Sequence, residues 1–339
     1  MNELNLFINE ITDEIASKTG LSKLRKLSSA IKDSYRAKAS KTVDYEVTGL
    51  DSAIAYMIYR LPATAMVIYD VLERIREEAE DFHPKSVLDL GSGPASSVYP
   101  LIYQYGTDIE ITLLEEQAAM KSAGETFLSE AKNNQTAIGK VKWVQCDFQS
   151  FKEKNRYDLV LASYMANELD SDELNKLSDA LDKQTNDDGI AVVIVPGVPE
   201  FFKKLLFLRS SLLERGFRIL APCTFTGDCE MEGTDDWCHF YKRIQRSKAL
   251  RYIKEGELPY EDEKYSYLVL SRIKTENENK SNRIIRHPQI KKGLVEVMLC
   301  NDTGIKQVKI TKSKAPETFK ELKSLGWGDK LKIKDNINE

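Results

Sequence analysis

Apolar residues recur at helical spacing in LNLFINEITDEIA (4–16) and again across residues 53–79, with strong helix formers on the other face. Pro62 lies inside the second pattern and predicts a kink or a restart there. From residue 83 the period changes. Short β-branched and apolar runs appear at SVLDL (86–90), IEITLLEE (109–116), VKWVQCDF (141–148), YDLVLASY (157–164) and GIAVVIVPG (189–197). Helical stretches at 97–105, 118–132, 171–184 and 201–215 separate and follow them. Strand alternating with helix predicts an α/β fold, a largely parallel sheet with helices on both faces. FRILAPC (217–223) and YSYLVLSRI (265–273) read as strands six and seven of a seven-stranded sheet. Between them lies a cysteine-rich insertion, 222–264. TENENKSN (275–282) reads as a polar linker. GLVEVMLCND and IKQVKITKS then alternate around Thr303-Gly304 as a β-hairpin. The expected organisation is a helical region (1–82), a sheet domain (83–273) and a C-terminal extension (274–339).

Composition narrows the class. The chain has 339 residues, 42% hydrophobic and 30% charged, as expected of a globular protein. No run reaches the roughly 18–20 apolar residues of a membrane span. The acidic, amphipathic first twenty residues suit neither a secretory nor a mitochondrial leader, so a cytoplasmic protein is expected. The net charge of -4 hides an uneven distribution. Residues 18–41 hold eight basic and one acidic residue, 241–254 six and none, and 283–339 thirteen and seven. Basic segments flanking an acidic middle point to a polyanionic partner as well as to solvated surface.

The chemistry begins at DLGSGPASS. Gly91 and Gly93 directly follow the first strand, where a glycine lets the backbone approach a ligand closely. A dinucleotide would want a third glycine where Ser96 stands, and Asp89 would oppose its phosphates. S-adenosylmethionine carries an ammonium and a sulfonium and no phosphate, so Asp89 suits it. Glu115 closes the second strand, where a carboxylate can accept from ribose hydroxyls, and Asp147 after the third strand would lie beside the adenine amine. DLGSGP therefore resembles the first motif of class I methyltransferases, which implies a Rossmann-like sheet. After strand four, Asn167 and Glu168 are the weak candidates for positioning an acceptor, and they could equally cap the next helix. The Asn/Asp-Pro-Pro-aromatic string of amino-group methyltransferases is absent there.

The remaining signal is cysteine. Cys223, Cys229 and Cys238 are spaced x5 and x8, and Cys300 follows 62 residues later in the hairpin. Four converging thiolates would hold a metal. Close C-x2–4-C pairs of a zinc ribbon are missing, and an iron–sulfur cluster tolerates wider spacing, with zinc the alternative. The tight three-cysteine run of radical chemistry is missing too. Cys146, inside a strand, reads as a small hydrophobe.

The strings YMIYRLPAT (56–64), DLVLASYMANEL (158–169), PGVPEFF (196–202), APCTFTGDC (221–229), DWCHFYKRIQRS (236–247), LPYEDEKYSYLVLSR (258–272), RIIRHPQIKKGLVEVMLC (283–300) and WGD (327–329) carry a further resemblance. With the glycine loop, the chain resembles the methyltransferase-like family of the mitochondrial ribosomal small subunit and its bacterial relatives. That resemblance implies S-adenosylmethionine at Asp89, Gly91 and Gly93. It also implies a [4Fe–4S] cluster on Cys223, Cys229, Cys238 and Cys300. The implied partner is the rRNA of the small ribosomal subunit, with neither DNA nor membrane expected. Arg243, Arg246, Lys248 and Arg251, on a helix beside the cluster, would grip its phosphates. Two departures stand out: Thr224-Phe225 replaces Pro-His after Cys223, and Val195 replaces an acidic residue before Pro-Gly. Two functions stay open, an rRNA methyltransferase and a non-catalytic assembly factor that keeps the methyltransferase fold. A small-molecule methyltransferase with a zinc-bound substrate domain is the third.

Overall fold

The computed structural model describes residues 3–38, 47, 49–134, 137–272 and 281–331. The two N-terminal helical patterns become α1 (Glu3–Thr19) and α3 (Leu50–Glu78). Between them the basic stretch is itself a helix, α2 (Leu21–Lys38), with Leu24 and Ile31 fully buried. The expected restart at Pro62 does not occur, because Leu61, Pro62, Ala63, Ala65 and Met66 are all buried along α3. Packing of that face carries the helix across the missing N–H.

The alternating region follows as β1 (Ser86–Leu90), α4 (Val98–Tyr105), β2 (Glu110–Leu114), α5 (Ala118–Asn133), β3 (Lys140–Val144) and β4 (Tyr157–Ser163). It continues with α6 (Ser171–Gln184), β5 (Thr185–Pro196), α7 (Pro199–Glu214), β6 (Arg218–Ala221), β7 (Phe240–Gln245), α8 (Lys248–Lys254) and β8 (Tyr260–Ser271). The strand order is β3-β2-β1-β4-β5-β8-β6. β1 to β5 are parallel, and β8 runs antiparallel to β5, β6 and β7. A parallel half wound outward from β1, closed by a late strand inserted antiparallel, is the class I methyltransferase arrangement. Seven strands were expected, but among the described residues the main sheet has eight. The extra one is β7, from the insertion. Its Phe240 and Ile244 are buried, but the intervening Lys242 and Arg243 hide the alternation.

Both sheet faces are covered, so the strands read as continuous apolar runs. Val87, Ile111, Leu161 and Val192 pack with α1, α3, α4 and α5, while Leu88, Val160, Ala162 and Val193 pack with α6 and α7.

The expected hairpin is β11 (Leu294–Asn301) with β12 (Gly304–Thr311). It belongs to a five-stranded sheet with β9 (Asn282–Ile284), β10 (Gln289–Lys291) and β13 (Lys330–Leu331). These three are too short to show a period in sequence. With α9 (Pro316–Leu322) the sheet encloses its own core of Val295, Val297, Leu299, Ile310, Phe319 and Leu322. The linker reading at 275–282 lies almost wholly outside the described residues. Arg283, 1% exposed, bolts this sheet to the rest. It donates to the carbonyls of Pro222 and Gly328, both at 2.8 Å, and to Glu78 of α3 at 3.1 Å. Among the described residues no helix is long and apolar enough to cross a membrane.

Candidate cofactor pocket and cysteine cavity

A cleft of ≈ 340 Å³ opens at the carboxyl ends of β1, β2 and β4, the rim where this fold class binds ligands. Asp89, Gly91, Gly93, Glu115 and Asp147 all line it. Gly91 and Gly93 have φ of 65° and 53°, and a Cβ on Gly91 would sit 3.2 Å from Cβ of Met165. The loop is held by Glu115, whose carboxylate accepts from the Gly93 and Gln117 amides, each at 2.8 Å. Burial pushes the Glu115 carboxyl up, and those two amide bonds oppose the rise.

Asp89 is the decisive group. It is 2% exposed. One oxygen accepts from the Ser97 hydroxyl. The other has no partner among the described residues. Burial pushes its carboxyl up to about 7, against the Ser97 bond and with a smaller contribution from Glu115. An unpartnered buried carboxylate oxygen on a ligand-sized cleft is what a cationic ligand would satisfy. Ser92, Gln117 and Ser163 line the same cleft and also carry buried side-chain oxygens without partners among the described residues. Sequence reasoning missed these three, since serine and glutamine after strands carry no motif of their own.

The outer wall was missed as well. Tyr56, Arg60, Thr64 and Ile68 of α3 line the cleft. Arg60 pairs with Glu263 of β8 at 2.7 Å and lies 5.4 Å from the centre of the Tyr164 ring, whose hydroxyl also reaches Glu263 at 3.3 Å. Tyr164 has φ of 57°, a strained value for a tyrosine, directly after β4. The YMIYRLPAT string carried the signal, but helical spacing alone does not say what a helix faces.

Of the acceptor candidates, Glu168 lines the cleft. Asn167 is not among the residues that line it. Its side-chain oxygen is buried without a partner among the described residues, and its carbonyl accepts from Lys204 at 2.8 Å. Neither caps α6. Asp170 does so, in a capping box with Glu173.

The second feature is a cavity of ≈ 40 Å³ between the insertion, α7 and the C-terminal sheet. Cys223, Cys229, Cys238 and Cys300 all line it. Residues up to 77 positions apart in the chain are thereby brought round one space. Burial raises the Cys238 thiol well above its ordinary value, with the other three cysteines adding to the rise. Cys300 is pushed up to about 12, again by burial first and then by Cys223 and Cys229. Burial thus favours the neutral thiol at Cys238 and Cys300. Cys300 reaches the cavity because Glu230 accepts from the Ile305 amide at 2.7 Å, tying the hairpin to the insertion. Among the described residues no group of three or more His, Cys, Asp or Glu side chains stands ready-made in metal-binding geometry. Cys146 lies apart from this cavity and lines the cofactor cleft.

The family described as mitochondrial small ribosomal subunit Rsm22 matches residues 50–332. The chain belongs to the Rsm22 family. No curated protein matches it. Solved structures similar to this Rsm22 family chain include a candidate RNA methyltransferase from Pyrococcus horikoshii (16% identity, TM-score 0.39, covering 61% of this chain and 85% of that one). A candidate S-adenosyl-L-methionine-dependent methyltransferase from Methanococcus maripaludis is also similar (14%, 0.43, 70% and 99%). So is an O-methyltransferase family protein from Burkholderia thailandensis (10%, 0.47, 76% and 73%).

The basic residues expected on one helix are divided. Arg243 is on β7 and Arg246 in the turn after it, while Lys248 and Arg251 are on α8. Arg243 pairs with Asp262 at 2.7 Å and Arg246 with Glu261 at 3.0 Å. Lys248 is exposed and Arg251 half-buried. The helix reading fails for Arg243 because alternate burial of Phe240 and Ile244 makes this stretch a strand.

Proposed function

We propose that this Rsm22 family member binds S-adenosylmethionine, holds a [4Fe–4S] cluster and acts on the rRNA of the small ribosomal subunit. The observation that carries the first part is the free oxygen of Asp89 on the cleft. In this reading Asp89 takes the ammonium, Gly91 and Gly93 admit the methionine end, Glu115 takes the ribose and Asp147 the adenine edge. Each Glu115 oxygen already accepts one amide and has a lone pair left for a hydroxyl. S-adenosylmethionine supplies an electrophilic methyl group. The chain supplies binding and enclosure, with α3 and Tyr164 screening the cleft from water.

The cluster reading is supported by four thiols facing one cavity. Iron would stabilise the thiolates that burial disfavours. The rRNA reading rests on the family and on the basic segments. The cytoplasmic setting read from the sequence belongs to the same proposal.

A non-catalytic assembly role is the second reading. It is favoured by the loop after β4, where, of the two expected acceptor-positioning residues, Glu168 lines the cleft and Asn167 is not among the residues that line it. One experiment bears on both. Anaerobically purified protein is assayed for iron and sulfide, for S-adenosylmethionine binding, and for methylation of small-subunit rRNA. About four iron and four sulfide per chain with ligand binding is the expected result. Failure of the wild-type protein to bind the ligand sinks the cofactor reading. Binding with no methylation of immature or mature rRNA selects the assembly role.

A further inference from the structure

β8 outruns its neighbour. β5 ends at Pro196, opposite Tyr265, and Tyr260–Lys264 pair with β7 instead. The result is a two-stranded ribbon beyond the rim of the sheet. Alternation separates its faces. Lys242, Glu263 and Tyr265 turn inward to Asp70 and Arg60 of α3. Tyr241, Arg243 and Gln245, paired with Lys264, Asp262 and Tyr260, turn outward. On that outer face Arg243, Gln245, Asp262 and Lys264 are exposed, and the two tyrosines are half-buried.

The outer face is already ordered. The Arg243 guanidinium lies 4.3 Å from the centre of the Tyr260 ring and donates to both Asp262 oxygens, at 2.7 and 2.8 Å. The Tyr241 ring leans on His287 at 4.8 Å and on Trp327 at 5.7 Å. Arg286, beside Trp327, pairs with Asp236 at 2.5 Å. Lys264 has no ion-pair partner among the described residues and leaves the patch with surplus positive charge.

We propose that this ribbon face is a stacking platform for single-stranded RNA, with bases on Tyr241 and Tyr260 and phosphates at Lys264 and Arg243. The proposal rests on the rRNA reading above and gives it a surface. Every base has a π-face, so rings on a strand pair hold an extended strand without reading its sequence. The two tyrosines stand about 13 Å apart along the ribbon, far enough to take separate bases. A protein partner would favour an apolar centre depleted of charge, whereas here an exposed ion pair sits between the rings. The opposite side of the same ribbon presents Glu263 to Arg60 and Tyr164 on the cofactor cleft. The ribbon and its Glu263–Arg60 pair thus stand between the proposed RNA face and the cleft.

The test measures binding of a short fluorescein-labelled oligouridine to the full-length, metal-loaded protein by anisotropy, across a salt series. S-adenosylmethionine binding reports on folding, since neither Tyr241 nor Tyr260 lines that cleft. Tyr241→Ala and Tyr260→Ala should each weaken RNA binding about tenfold. The corresponding Phe variants should bind like wild type. Lys264→Gln should lower the slope of log affinity against log salt by about one. Wild-type RNA affinity in both Ala variants overturns the platform and leaves the rRNA reading standing. Phe variants as weak as the Ala variants overturn stacking as its basis. A wild-type protein that binds S-adenosylmethionine but not the oligonucleotide overturns the platform and the rRNA reading together.

Discussion

Asp89 makes the cleft sensitive to pH. Its folded carboxyl, near 7, lies above the ordinary aspartate value of 3.8 because it is buried. A raised acid means that the ligand-free folded state holds its proton longer than the unfolded chain. Stability from this group is then greatest at low pH and declines as pH rises from about 4 through 7. Ligand binding has the opposite sign, since an ammonium needs the carboxylate. Affinity for S-adenosylmethionine should rise between about pH 6 and 8, and Asp89→Asn should lower it and flatten the profile. Calorimetric titration at several pH values measures both. Gly91 is constrained in a different way. Alanine there meets Met165 at 3.2 Å in a left-handed conformation, so Gly91→Ala should lose ligand binding and about 1–2 kcal/mol of stability, read by denaturant titration.

At the scale of elements, α3 is a wall of the cleft as much as a scaffold. Arg60 and Glu263 are 13% and 16% exposed, so removing one partner strands a mostly buried charge. Arg60→Ala should cost about 3 kcal/mol and free Tyr164, seen as a lower melting temperature together with weaker ligand binding. Arg60→Lys should restore less than the full loss, because one ammonium cannot reproduce the fork on Glu263. This is also the scale at which the sequence was most and least informative. β1, β2, β4 and β5 were legible because strands covered on both faces become largely apolar runs, as in LVLA (159–162) and AVVIV (191–195). Asp89, the two glycines and Glu115 were legible because they sit at the ends of those runs. β7 was not, since its inward Lys242 meets Asp70 and looks like surface. Nor was the role of Arg60, Tyr56 and Ser163, which depends on elements far apart in the chain meeting at one rim.

Across the whole molecule, Arg283 and Cys300 join the C-terminal sheet to the rest. Arg283→Met strips the Pro222 and Gly328 carbonyls of their donor and leaves Glu78 with Lys330 alone, so it should loosen that sheet, raising amide exchange over 281–331 while 86–114 stays protected. On the proposed cluster, Cys300→Ser should lower the iron content and produce the same local loosening. Unchanged iron in that variant would remove Cys300 from the ligand set. β8 has a wider consequence, for the order in which the chain can be built. It lies between β5 and β6 and is the strand against which β7 pairs. A nascent chain released up to residue 259 has an open edge on β5, and neither β6 nor β7 has a strand to pair with. Those stretches must wait, together with the three cysteines of the insertion, until the twelve residues of β8 emerge. Synthesis therefore passes through an interval in which a long nascent chain exposes an apolar sheet edge. A ribosome stalled there would hold a sticky intermediate rather than a smaller working protein.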